Sequence, residues 1–207
     1  MKYKDIEKCI IKVADFYDRK KVGDIGPLGF RRSTDLTRLS LCIDELIDQK
    51  ILVPGESLFL DMGCGDGRVN VLFSYLVKRS IGIELDEWTL DEYAILKKEL
   101  EASLEEDDLP LPPHNISLFH GDSMEESLHE SIYQGTGLSF KDFDLFYTYL
   151  TMHDEFADLI AHRAKKGSVF MVYGLDKITP EFQGLELLTD APLQGILAIY
   201  RKTYSPE

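Results

Sequence analysis

The chain has 207 residues, of which 44% are hydrophobic and 29% charged. That profile excludes a disordered chain, and a chain of this length hides roughly 70% of its unfolded surface without staples. The formal net charge is −14, which makes it a poor candidate for gripping nucleic-acid phosphates without a local basic patch. Arg31-Arg32 and Lys165-Lys166 are only pairs, so nucleic acid is not the expected partner. Cys9, Cys42 and Cys64 are odd in number and widely spaced, so they imply neither a disulfide framework nor a zinc site. The first residues lack an apolar stretch of signal-peptide length, and nowhere do about 18 apolar residues run together. A reduced, cytoplasmic protein with no membrane partner and no metal is expected.

Ile6, Cys9, Ile10, Val13 and Tyr17 recur at helical spacing and predict an amphipathic helix over 4–20. Three glycines and a proline make 21–33 a loop. Leu36, Leu39, Ile43, Leu46 and Ile47 predict a second helix, with Ser33 or Thr34 as N-cap, and Pro54-Gly55 ends this opening section. The pattern then alternates. Strands are predicted at 57–63, 80–85, 116–122, 143–150 and 167–175, and helices at 66–79, 87–106, 123–133 and 154–166. Residues 105–115 form an acidic, proline-rich loop. Two final strands, 185–190 and 195–203, are joined by the four-residue link APLQ and predict a hairpin. The expected fold is α/β: a Rossmann-like, doubly wound, mostly parallel sheet with a C-terminal antiparallel hairpin. One domain, 1–207, is expected, with 1–50 as an N-terminal helical extension and 51–207 as the ligand-binding core.

The informative segment is LFLDMGCGDGRV, 58–69. An apolar run ends in Asp61, followed by Gly63, Gly65 and Gly67 and then a helix. In an open parallel sheet, ligands bind beyond the carboxyl ends of the strands, and glycines let the backbone approach them. A dinucleotide fingerprint, GxGxxG, puts its third glycine where this chain has Arg68. A Walker loop needs a GK[ST] ending, which is missing. A carboxylate just ahead of the glycines repels a pyrophosphate but takes up an amino group. The ligand implied has an ammonium end and no phosphates, as S-adenosylmethionine does.

With DMGCGDG at 61–67, the chain resembles the class I (seven-strand) S-adenosylmethionine-dependent methyltransferases over roughly 51–203. The resemblance implies that Asp61, Gly63, Cys64, Gly65 and Gly67 hold the methionine part of the cofactor. It implies a ribose-binding acid at the end of the second strand, where IGIELD places Glu84, 19 residues beyond Gly65, with Asp86 as runner-up. It implies an acid after the third strand for the adenine amino group, here Asp122, with Ser123 beside it. Asp122 is also open to a helix-capping role, and Trp88 to packing on a helix or lying against the adenine. Within the family, Asp61, Gly63, Gly65, Asp66, Gly67, Arg68, Gly82, Glu84 and Trp88 are similar to the pattern of a branch of small protein-lysine methyltransferases.

The resemblance places the methyl acceptor after the fourth strand. FYTYLTMHD, 146–154, offers Tyr147, Tyr149 and His153 as candidate catalytic residues, with Asp154 beside them. The segment is not the Asx-Pro-Pro-Tyr of nucleic-acid amino methyltransferases. The expected activity is methyl transfer to a protein side chain, lysine among them, or to a small molecule. The alternative is a cofactor-binding subunit or sensor without turnover.

Overall fold

The computed structural model describes residues 3–20, 33–175, 179–189 and 191–204. The elements follow in the order α1 Tyr3–Asp18, α2 Leu36–Ser40, α3 Ile43–Asp48, β1 Leu58–Met62, α4 Arg68–Ser74, β2 Arg79–Glu84, α5 Glu87–Glu106 and β3 Ile116–His120. Then come α6 Glu126–Thr136, β4 Leu145–Tyr149, α7 His153–Arg163, β5 Val169–Tyr173, β6 Leu185–Leu187 and β7 Leu197–Lys202. A 3-10 turn at Phe140–Asp142 leads into β4.

The strands form one seven-stranded sheet in the order β3-β2-β1-β4-β5-β7-β6. β1 to β5 pair in parallel. β7 runs antiparallel between β5 and β6. Because β6 is antiparallel to β7, it points the same way as the first five, and β7 alone is reversed. The expected sheet is therefore present, but its last connection is longer than the APLQ link. β6 stops at Leu187 and β7 starts at Leu197, and the isolated bridge from Leu193 to Leu197 closes the turn between them.

Side chains alternate across the sheet and build a core on each face. Phe59, Leu145, Tyr147, Met171, Tyr173 and Ile199 pack with α1 to α5. Leu60, Ile83, Phe146, Phe170, Val172 and Tyr200 pack with α6 and α7. The apolar stripe of α1 (Ile6, Cys9, Ile10, Val13 and Tyr17) is wholly inside the first of these cores. The N-terminal extension is thus a layer of the fold and not an appendage.

The second predicted helix is two short ones, broken at Leu41-Cys42. Its cap is Asp35, whose side chain accepts from the Arg38 amide at 2.8 Å, and not Ser33 or Thr34. Thr34 instead turns inward, as described below. All three cysteines are free and buried, each packed as a small apolar group.

Gly82, in the centre of β2, is the tightest point near the carboxyl edge. A Cβ there would stand 2.6 Å from Asn70 Oδ1, 2.6 Å from Leu118 and 2.8 Å from Cys64 Sγ. Asn70 cannot yield readily, since its amide donates to Ser80 Oγ and the Ile81 carbonyl. Gly82→Ala is expected to lower stability by about 1–3 kcal/mol through overpacking, measured as a fall in the urea midpoint with unchanged slope.

Candidate functional site

β1 delivers Asp61 to the carboxyl edge of the sheet, between Gly82 of β2 and Tyr147 of β4. The turn that follows is held by the sheet itself, since the Gly63 and Cys64 amides both donate to the Ile83 carbonyl, at 2.9 and 2.8 Å. Gly63, Gly65 and Gly67 have φ of +90°, +58° and +74°, a region that side-chain-bearing residues rarely enter. A Cβ on Gly63 would meet nothing within 4 Å, so its surface faces open space. One on Gly67 would strike Leu118 and Tyr93 at 2.8 Å, so this glycine serves packing.

Three carboxylates gather around this turn. Glu84 accepts from the Gly65 amide at 2.8 Å and from the Asp86 amide at 2.9 Å. Asp66 is forked by Arg68, through Nε at 3.0 Å and Nη2 at 2.9 Å. Asp61 is 1% exposed, and neither of its oxygens has a hydrogen-bond partner among the described residues. Burial, then the charges of Glu84 and Asp66, push its carboxyl well above the ordinary carboxylate range. Buried polar groups are nearly always satisfied within a fold. An unpaired carboxylate beside an open glycine face therefore fits a ligand that carries an ammonium group.

Asp122 and Ser123 follow β3 along the same edge. Asp122 Oδ1 accepts from the Met124 amide at 2.8 Å. The N-cap of α6 is Glu125, so Asp122 does not cap that helix. Ser123 is buried, and its carbonyl accepts from His129 Nε2 at 2.8 Å. That bond places the imidazole proton on Nε2 in the neutral ring, and burial lowers the His129 pKa. Trp88 is 85% exposed at the start of α5, so the packing role open to it from the sequence is not used.

The residues expected at the acceptor end are not brought together as a set. Tyr147 is 1% exposed in the core under α1 to α3, its hydroxyl 2.7 Å from Thr34 Oγ1. Its polar end is thus enclosed by the N-terminal layer. Tyr149, two residues on and on the same face, is half-buried against Tyr173 at 5.6 Å between rings. His153 begins α7 on the other side of the sheet, its ring 5.9 Å from Phe182. Asp154 lines a nearby cavity of about 270 Å³ with Glu155, Asp158, Glu181 and Phe182. Between them, Met152 has φ +52°, a strained backbone at the exit of β4.

Two features were not foreseen from sequence. One is the buried Asp66–Arg68 pair, visible only as D-G-R. The other is the docking of the N-terminal layer on the edge of the sheet, where Tyr173 Oη donates to the Asp35 carbonyl at 3.3 Å, beside the Thr34–Tyr147 contact. No spacing rule links residues more than a hundred positions apart. The loop 21–33, including the glycines and arginines named above, lies almost wholly outside the described residues.

No family model and no curated protein matches this sequence. Solved structures do match. An RNA methyltransferase from Salinibacter ruber, in complex with S-adenosyl-L-homocysteine, superposes with TM-score 0.52 at 17% identity, over 86% of this chain and 95% of that one. A tRNA methyltransferase from Aquifex aeolicus gives TM-score 0.55 at 12% identity, over 94% and 76%. The fold is that of the class I methyltransferases. An rRNA methyltransferase from Streptomyces viridochromogenes shares it, with TM-score 0.54 at 13% identity over 86% of this chain and 88% of that one.

As long as it has no partner, the buried Asp61 carboxylate opposes folding. Its raised pKa means that the unliganded fold is favoured by the protonated acid and loses stability as pH rises through that pKa. Asp61→Asn is expected to raise the thermal midpoint once pH exceeds the raised Asp61 pKa, by about 2–4 °C for each kcal/mol recovered. The gap should close as pH falls and Asp61 takes up its proton, and a pH series of melts checks both.

Proposed function

We propose that this protein is an S-adenosylmethionine-dependent methyltransferase whose acceptor is an amine, either a lysine side chain of a protein or a basic small molecule. The observation that supports this best is Asp61, a buried carboxylate with no partner, facing a turn where Gly63 leaves the approach open. The cofactor's amino group matches Asp61 in charge and in the need for a partner. Glu84 stands at the end of β2, where a bidentate carboxylate suits a vicinal diol, and its bond to the Gly65 amide ties that end to the turn. Asp122 and Ser123 stand where the adenine end would lie. Cys64 is a small residue of the turn, with its thiol pKa raised by burial and by Asp61; it is not a nucleophile.

When bound, the cofactor supplies a methyl group on a positive sulfur. This chain's residues contribute alignment, an effect of about 7–11 kcal/mol in favourable model systems. A lysine acceptor has to be neutral, against an ordinary pKa of about 10.4, and desolvation at the sheet edge favours that form. Tyr149 is assigned to the acceptor, since it is the half-exposed aromatic at the end of β4. An aromatic face also stabilises a cationic product by roughly 0.5–2 kcal/mol.

The neighbours in fold are RNA methyltransferases, so the likeness lends no support to excluding nucleic acid. The net charge of −14 is what weighs against it. The GDGR and IGIELDEW segments are what favour a lysine.

Calorimetry with S-adenosylhomocysteine tests the cofactor, and binding of NAD instead would overturn it. Glu84→Gln is expected to weaken that binding by about 1–3 kcal/mol. Tyr149→Phe should leave affinity unchanged and lower turnover on a lysine-bearing acceptor. A protein that binds the cofactor but releases no homocysteine product with any protein, RNA or small-molecule fraction is instead a binding subunit.

A further inference from the structure

Arg68 stands where a dinucleotide fold has glycine, and its side chain is not turned to the ligand side. It is buried, as is Asp66, with side-chain exposures of 4% and 1%. The fork onto Asp66 is bidentate, and the Arg68 amide also donates to Asp66 Oδ1 at 3.2 Å. Asp66 sits between Gly65 and Gly67, so this pairing acts on the backbone of the turn itself. Arg68 Nη2 also donates to the Lys20 carbonyl at 3.3 Å, just beyond α1. Its guanidinium lies 5.6 Å from the centre of the Tyr17 ring. Tyr17 is fully buried on the last turn of α1.

A buried ion pair is costly unless further contacts satisfy it, and replacing it by apolar groups is often neutral or stabilising. Its use is then in what it holds. We propose that Arg68 is a positioning residue for the cofactor turn: through Asp66 it sets the 63–67 backbone, and through Lys20 and Tyr17 it makes cofactor affinity depend on the end of α1. This deepens the functional reading above and rests on the turn being the cofactor loop. Arg68 is assigned no contact with the cofactor and acts through Asp66 and the end of α1. The glycines at 65 and 67 give the turn its left-handed conformations but leave it free to take others, and the fork supplies the restraint they lack.

The test uses the full chain in three forms: wild type, Arg68→Met, and the double variant Asp66→Asn with Arg68→Met. Arg68→Met leaves Asp66 buried without a countercharge, and its thermal midpoint is expected to fall. The double variant removes that charge while Asn at 66 still accepts from the amide of residue 68, so its midpoint should recover. Affinity for S-adenosylhomocysteine should not recover with it. Both variants are expected to bind about tenfold more weakly than wild type or worse. A double variant that regains both midpoint and affinity would show the pair to be packing alone and overturn the proposal, as would Arg68→Met binding like wild type.

Hydrogen exchange without ligand supplies a separate arm. Peptides covering 15–20 and 63–68 should exchange faster in both variants, because the restraint is gone even where stability is restored. If wild type fails to bind S-adenosylhomocysteine, the functional reading falls, and this arm alone decides whether Arg68 fastens the turn to α1. Unchanged exchange in both peptides overturns that too.

Discussion

Three carboxylates converge at the end of β1, and the way each is compensated organises the rest of the molecule. Asp66 is matched by a guanidinium, Glu84 by two backbone amides, and Asp61 by no hydrogen bond among the described residues. Like charges this close, away from water, oppose folding. Such a cluster persists only because the sheet over-determines the backbone that carries it. β1 is an interior strand, flanked by β2 and β4, and its exit turn is hydrogen-bonded back onto β2. Stability is given up at one carboxylate and retained at the two beside it, a pattern expected of a ligand site and not of a structural ion network.

The N-terminal layer follows from the same constraint. α1 covers the Asp66–Arg68 pair, and the run into α2 covers Tyr147 and Tyr173 through Thr34 and Asp35. Asp18 then accepts from the Leu36 and Thr37 amides, at 2.8 and 2.9 Å, joining the end of α1 to the start of α2. The extension thus closes one face of the sheet from the glycine turn across to β5. That closure makes Tyr147 a core residue, although its position on β4 is the one expected of an acceptor residue.

The carboxyl end of β4 is less polar on this face than its sequence suggests. Tyr147 is enclosed, Tyr149 is half-buried, and His153 lies against Phe182 of the opposite core. An end of the sheet with few polar groups of its own fits the amine methylation proposed above, in which alignment and desolvation do most of what is needed.

From the sequence alone, the alternation of strands and helices, the glycine turn and the acids at the ends of the first three strands were all legible. These features are local: period-2 and period-3.6 patterns and fixed offsets within a single strand–turn–helix unit. Helix boundaries were less so, as the break at Leu41-Cys42 shows, because an unbroken apolar stripe does not reveal where the backbone bends. Nor was the long turn before β7 legible, since the chain leaves β7 after the Leu188 amide bonds the Ile199 carbonyl and returns only at Leu193. What only the tertiary structure decided was compensation. D-G-R reads alike whether its charges meet each other or water, and Tyr147 and Tyr149 read alike as strand aromatics. Which carboxylate found a partner depended on how the turn folds back onto β2, and which tyrosine was covered depended on α1 and α2 returning over the sheet edge, packing events no local pattern encodes.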